Sequence, residues 1–324
     1  MIISPIAGSQ NGAEALAETL RNPMRKYPDR SDARFEDHLI LPSVAPGFKI
    51  DASSSVFTIG SCFARNVEEA LIERGVSVPT ASFSAAQDKI PGRPNRVLNQ
   101  YNPGTMLQCV ENVFGKKIEG GIYDAGRDKL KKQYVDSLLS TGGAPTSLNR
   151  VNERRAEIDQ LYTDGLAASE TVVITLGLIE SWLDLEAGIY LNEMPPAKLV
   201  RSNASQFEFR RLGVSECERL VSAMVELLNR DKRRNIVLTV SPVPLQVTFA
   251  GGDATTANGF SKAVLRVVAE TVSNNFDMVD YFPSYEAVTT SGFRSFGEDN
   301  VHVRPATVQR VVNHMVDQYL EGAA

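Results

Sequence analysis

Five short β-branched and apolar runs, spaced by stretches with helical periodicity, constrain this chain most. Residues 56–59, 76–83, 171–175, 235–240 and 276–281 read as strands. Helical patterns fill about 64–74, 104–114, 150–168, 213–230, 259–274 and 305–320. Strands that alternate with helices pair in parallel, because each crossover returns the chain to the same end of the sheet. Such strands are apolar on both faces and need helices on both. Right-handed crossovers then give an α/β fold, a three-layer α/β/α sandwich around a central, mostly parallel five-stranded sheet.

The remainder does not fit that minimal plan. Residues 1–50 are rich in Pro, Asp and Arg with weak periodicity, and read as an N-terminal arm packed on a single domain of residues 51–324. Two insertions interrupt the domain. One, near 115–150, carries Gly120-Gly121, Gly142-Gly143 and the basic run 127–132. The other, near 183–206, carries Pro195-Pro196 and reads as a hairpin or lid. Loops between core elements usually hold specificity.

The composition excludes several classes. A net charge of −5 gives no general attraction for nucleic acid or an anionic membrane. The basic runs 127–132 and 231–234 read as solvated faces. No apolar run approaches about 18 residues, so no membrane span is expected. Met1-Ile2-Ile3-Ser4-Pro5 lacks the basic region and apolar core of a secretory signal. Cys62, Cys109 and Cys217 are odd in number and lack CxxC spacing. Neither a disulfide framework nor a zinc site follows, and a cytoplasmic protein with reduced thiols is expected.

Chemistry concentrates at two places. The first is Gly60-Ser61-Cys62-Phe63-Ala64, where the first core strand hands over to a helix. Strand C-terminal ends form the ligand crevice of open α/β sheets, and a helix N-terminus stabilises a thiolate. Cys62 is the expected nucleophile and Ser61 its rival; a buried, purely structural cysteine is the plainer alternative. The second is Gly297-Glu298-Asp299-Asn300-Val301-His302, in a loop before the last helix. Asp299 can orient and charge-stabilise His302, and the imidazole can activate a nucleophile. His314 falls inside the last helix as a surface or packing residue, and His38 in the arm has no assigned role. Cys109 and Cys217 fall in helical patterns and read as buried.

A Gly-Ser-Cys after the first strand with a D-x-x-H before the last helix resembles the GDSL/SGNH hydrolases, whose Gly-Asp-Ser supplies a serine and whose D-x-x-H supplies acid and base. More narrowly, the chain resembles the GSCFA family. Gly60 to Ala64, Asn22-Pro23 with Tyr27-Pro28, Tyr101-Asn102 and residues 175–182 carry the likeness, with Ser241-Pro242-Val243-Pro244-Leu245, Ser261-Lys262 with Leu265-Arg266, and residues 281–286. The resemblance implies an SGNH/flavodoxin-like fold and places Cys62 at the nucleophile position. It implies oxyanion or substrate contacts at Asn102, Gly104 and Gly177. Gly177-Leu178-Ile179-Glu180 stands where the pattern has Gly-x-Asn-Asp, so the asparagine is absent; Glu180 reads as a hydroxyl acceptor, an acid, or the partner of an arginine. Trp182, Ser241, Tyr285 and Arg304 are further strand-end candidates: Trp182 as pocket floor or core, Arg304 as an anion grip or the partner of Glu298. Gly92-Arg93-Pro94-Asn95-Arg96 reads as an anion site or a basic turn.

The implied activity is hydrolysis or acyl transfer on an ester or thioester, with a carbohydrate or other small molecule as partner. His302 takes the proton of Cys62 and Asp299 orients it. No cofactor is expected, acyl-CoA serving as a donor substrate. The competing expectations are a non-catalytic sugar- or nucleotide-binding protein on a hydrolase scaffold, and sulfur or redox chemistry at Cys62.

Overall fold

The computed structural model describes residues 8–84, 93–126, 132–140 and 144–322. Most of the basic run 127–132, Gly92, Gly142 and Gly143 lie outside the described residues, and so do the readings made on them.

In chain order, the arm holds helix α1 (Gly12–Arg21) and a two-stranded ribbon, β1 (Phe35–Glu36) and β2 (Leu39–Ile40). The core opens with β3 (Val56–Gly60), α2 (Cys62–Glu73), α3 (Pro79–Ser82) and α4 (Pro103–Val113). A small hairpin, β4 (Ile122–Asp124) and β5 (Tyr134–Asp136), precedes α5 (Leu148–Ala168) and β6 (Thr171–Leu176). Then come β7 (Glu180–Asp184), β8 (Ile189–Leu191), α6 (Ala197–Ser202) and β9 (Phe207–Arg211), with β7 central in an antiparallel three-stranded sheet. The chain closes with α7 (Val214–Leu228), β10 (Asn235–Val240), α8 (Ala254–Asn275), β11 (Val279–Phe282), α9 (Ser284–Thr289) and α10 (Pro305–Tyr319).

The central sheet runs β3-β6-β10-β11, all parallel. It has four strands, not five. The expected strand at 76–83 forms only one parallel bridge, Ser77 beside Ser55, with Val56 N–H on the Ser77 carbonyl at 2.9 Å. Pro79 then starts α3. A proline has no N–H for a ladder but suits the first helical position, so the segment leaves the sheet there. The bridge still puts Ser77 on one side of β3 and β6 on the other. The end of β3 is thus flanked by two different returns of the chain, where such sheets open a crevice.

Alternate residues of the strands feed two cores. Phe57, Ile59, Val172, Ile174, Ile236 and Leu238 pack under α4, α5, α7 and α8. Val56, Val173, Val237 and Phe282 face α2, α9 and α10. These are the two helical layers of an α/β sandwich. The second face also buries charge. Glu68 on α2 pairs with Arg65 at 2.7 Å and accepts hydrogen bonds from Thr58, Thr80 and Asn95.

Candidate active site

The row of strand ends is level: Gly60 lies opposite Thr175, Thr175 opposite Thr239, and Thr239 opposite Phe282. Gly60 must turn the chain here. Its φ is +139°, and a Cβ on it would stand 2.3 Å from the Thr175 carbonyl oxygen. Only glycine tolerates both conditions. The next residue, Ser61, takes the N-cap position of α2 but makes no capping hydrogen bond, and its buried Oγ has no partner among the described residues. Cys62 follows as the first helical residue.

The strand-end crevice is laced by the segment before α4. Gln100 N–H donates to the Gly60 carbonyl at 2.8 Å, and Leu178 N–H to the Tyr101 carbonyl at 2.7 Å. Gly177 sits between them: a Cβ there would meet the Tyr101 oxygen at 2.7 Å and Ser61 Cβ at 3.4 Å. The end of β6 is thereby pressed against Ser61.

Lys262 completes this cluster. It lies on α8, is 0 % exposed, and donates from Nζ to the Gly177 carbonyl at 2.8 Å. Burial lowers its amine to about 7, while Cys62 acts in the opposite direction. Burial raises the Cys62 thiol above its ordinary value, and the charges of Lys262, Arg93 and Arg96 pull it back. The neighbouring Ser261 also reaches the crevice, its Oγ accepting the Ile179 N–H at 3.1 Å. Ser261 and Lys262 entered the sequence reading as part of a family likeness, without a role. The signal that finds Lys262 is its place on the buried stripe of α8 with Leu265, Ala269 and Val272.

Asp299 and His302 form a ready-made dyad. Asp299 Oδ2 accepts from His302 Nδ1 at 2.5 Å, and Oδ1 accepts the N–H groups of Val301 and His302. Asn300 holds a left-handed φ of 53° in this tight loop. Hydrogen bonds to His302 depress the Asp299 carboxyl to about 2. The imidazole is largely exposed, and among the described residues no hydrogen bond joins it to Ser61 or Cys62. The dyad nevertheless lies on the same edge of the sheet. Arg74, which ends α2, pairs with Asp317 near the end of α10 at 2.8 Å, so the two helices run parallel. Over the 12 residues of α2, a rise of about 1.5 Å per residue brings both N-termini to the same side.

The other expected residues divide. Asn102 is a helix cap: its Oδ1 accepts the Thr105 N–H at 3.0 Å, and its amide donates to the Leu191 carbonyl at 3.1 Å. Its oxygen and one of its two amide N–H groups are thus engaged by the fold. Gly104 packs against the Tyr190 ring, where a Cβ would come within 2.2 Å. Glu180 has no arginine partner among the described residues; it accepts from Thr248 Oγ1 at 2.6 Å and Phe249 N–H at 3.0 Å, fastening the loop after β10. Trp182 is half-buried and stacks with Phe209 and Phe249 under that loop. Ser241 is buried and accepts the Val243 N–H at 3.3 Å. Tyr285 is half-buried on α9, beyond the end of β11. Arg304 is not paired with Glu298 among the described residues; its Nε donates to the Phe296 carbonyl and braces the dyad loop. Arg93 bonds Asn66 and Glu69 beside α2.

His38 pairs with Asp37, and His314 bonds the Pro42 carbonyl. Cys109 and Cys217 are pushed up to about 12 by burial; Cys217 is buried, while Cys109, expected to be buried, is half-buried like Cys62. Among the described residues no cluster of three or more His, Cys, Asp or Glu side chains is spaced to hold a metal ion, and no helix is long and apolar enough to cross a membrane.

The GSCFA family model matches residues 55–315, from the first core strand to within the last helix. The chain belongs to the GSCFA family. The matched span contains Cys62, Lys262, Asp299 and His302 alike. No curated protein matches the chain.

Proposed function

We propose that this GSCFA protein is an acyl-transferring enzyme, an esterase or acyltransferase, with Cys62 as nucleophile. The observation that supports this most is the placing of a half-buried thiol at the N-terminus of α2, on the edge of the sheet that also carries the Asp299–His302 dyad. In the first half-reaction Cys62 Sγ attacks the carbonyl of an ester or thioester, and the alcohol or thiol leaves. The first N–H groups of α2 face the developing oxyanion. In the second, water or a substrate hydroxyl attacks the acyl-thioester. His302, with its Nδ1 held by Asp299, takes the proton of that acceptor through Nε2. A carbohydrate hydroxyl suits an acceptor approaching an exposed imidazole, and acyl-CoA suits a thiol nucleophile as donor. Three unpaired cysteines suit the reducing cytoplasm.

A second reading, a ligand-binding protein on this scaffold, is favoured by the buried, raised thiol. Intact mass after incubation with acyl-CoAs and activated esters separates the two. An acyl adduct on wild type that Cys62→Ala lacks supports acyl transfer, and His302→Ala then accumulates the adduct and turns over at least tenfold more slowly. Equal adducts on Cys62→Ala and wild type sink Cys62 as the nucleophile. A wild-type protein that takes up no acyl group from any donor favours the binding reading.

A further inference from the structure

We infer that Lys262, not His302, is the base that receives the Cys62 proton. This rests on the acyl-transfer reading for its purpose but not for its test. The amine is fully buried against the end of β6. Nζ donates to the Gly177 carbonyl, and Gly177 is pressed against Ser61, the residue before Cys62. His302 is largely exposed, with its Nδ1 committed to Asp299 and no hydrogen bond to Cys62 among the described residues.

A lysine this deeply buried is normally matched by a carboxylate, because an unpaired buried charge is costly. Here the only hydrogen-bond partner among the described residues is a neutral carbonyl. One N–H is used, and the lone pair of the neutral amine is left to serve as an acceptor. Ser61 Oγ, beside Gly177, is buried without a hydrogen-bond partner among the described residues.

The groups facing this pair leave Lys262 as the base. Arg93 and Arg96 favour a thiolate but do not give up a proton. Tyr101 is hydrogen-bonded to Ser140, its ionisation is opposed first by burial, and Glu193 faces it. Among the described residues no acidic group acts on Lys262; burial and Cys62 account for its ionisation. The resting pair is therefore a neutral thiol and a neutral amine above about pH 7.

The step balances. As Sγ forms its bond to the acyl carbon, the S–H proton moves to Nζ. As the tetrahedral intermediate collapses and the bond to the leaving oxygen or sulfur breaks, the ammonium returns that proton to the leaving group. Nothing is oxidised or reduced.

Alkylation of Cys62 by iodoacetamide tests the pair without any acyl donor. There Sγ bonds the methylene carbon, iodide leaves, and the thiol proton goes to Nζ. The rate is followed by peptide mass spectrometry from pH 6 to 10, on wild type, Lys262→Met, Lys262→Arg and His302→Ala, each first checked for a cooperative thermal melt. We expect a wild-type rate that climbs through about pH 7, where Lys262 becomes a free base. At pH 8, Lys262→Met is expected to react at least tenfold more slowly, and Lys262→Arg no faster than Lys262→Met, since arginine restores charge but not basicity. His302→Ala should stay within twofold of wild type. The inference is overturned if a folded Lys262→Met reacts within twofold of wild type, if Lys262→Arg matches wild type, if His302→Ala removes the rise, or if wild-type Cys62 stays unreactive throughout. A Lys262-dependent rise in a protein that takes up no acyl group leaves the thiol–amine pair standing and removes only the acyl-transfer reading.

Discussion

At the scale of single residues, the site depends on positions where no substitute fits. Gly60 combines a left-handed φ with a backbone oxygen 2.3 Å from any Cβ. Gly60→Ala must therefore move β3 away from β6 or distort the turn into α2. The expected loss is about 3 kcal/mol or more, read from urea unfolding, with Cys62 reactivity altered in whatever protein folds. A loss under about 0.5 kcal/mol would mean that the turn relaxes freely. The sequence exposed Cys62 because a strand ending in glycine before a helix has a periodicity that changes at one residue. It exposed Asp299 and His302 because histidine is scarce, with 3 in the chain. Asn102 is ambiguous in sequence because cap and oxyanion donor call for the same residue type at a helix start. Lys262 carried no chemical role because lysine in a helix ordinarily points to water, and only its register with Leu265 and Ala269 betrays burial.

At the scale of elements, α2 carries more than the nucleophile. Its apolar residues are legible at helical spacing, but nothing in the spacing marks Arg65 and Glu68 as buried. They are 2 % and 1 % exposed. Glu68 ties α2 to β3 through Thr58, to α3 through Thr80, and to the segment before α4 through Asn95. Removing it leaves the Arg65 guanidinium buried without its carboxylate. Glu68→Ala is expected to cost about 3–5 kcal/mol in urea unfolding. A cost below about 1 kcal/mol would mean that water or a repacked side chain takes its place. The same network explains the missing strand. A full strand over 76–83 needs a ladder N–H at Pro79; instead the chain starts α3 and delivers Thr80 to Glu68. Strand propensity was readable there, but one proline and one buried carboxylate outweigh it. The accessory antiparallel sheet β8-β7-β9 is legible in part, as the hairpin or lid read near 183–206: β7 and β8 form such a hairpin, while the pairing of β9 on the other side of β7 carries no sequence signal of its own.

At the scale of the molecule, the buried lysine makes global stability depend on pH over a defined window. The folded protein holds the Lys262 amine at about 7, against 10.5 for the free side chain. Between these values the unfolded chain binds the extra proton, so stability rises with pH. Below about 7 the lysine is protonated in both states and contributes no slope. Above about 9 the sign of another group intervenes: burial raises the Cys62 thiol, the unfolded chain loses that proton first, and stability falls as pH rises. The clean window is thus about pH 7 to 8.5. A full proton over that range is worth at most about 2 kcal/mol, at about 1.4 kcal/mol per pH unit. Other titrating groups contribute to the wild-type curve, so the informative quantity is its difference from Lys262→Met, which fills similar volume without ionising. The melting temperature of wild type should gain on that of Lys262→Met by a few degrees between pH 7 and 8.5. A difference that stays flat would show that Lys262 keeps an ordinary pKa in the fold, and hence that something balances its charge. The amine could then no longer serve as a free base at neutral pH, and activation of the Cys62 thiol would fall to the Asp299–His302 loop closing over it.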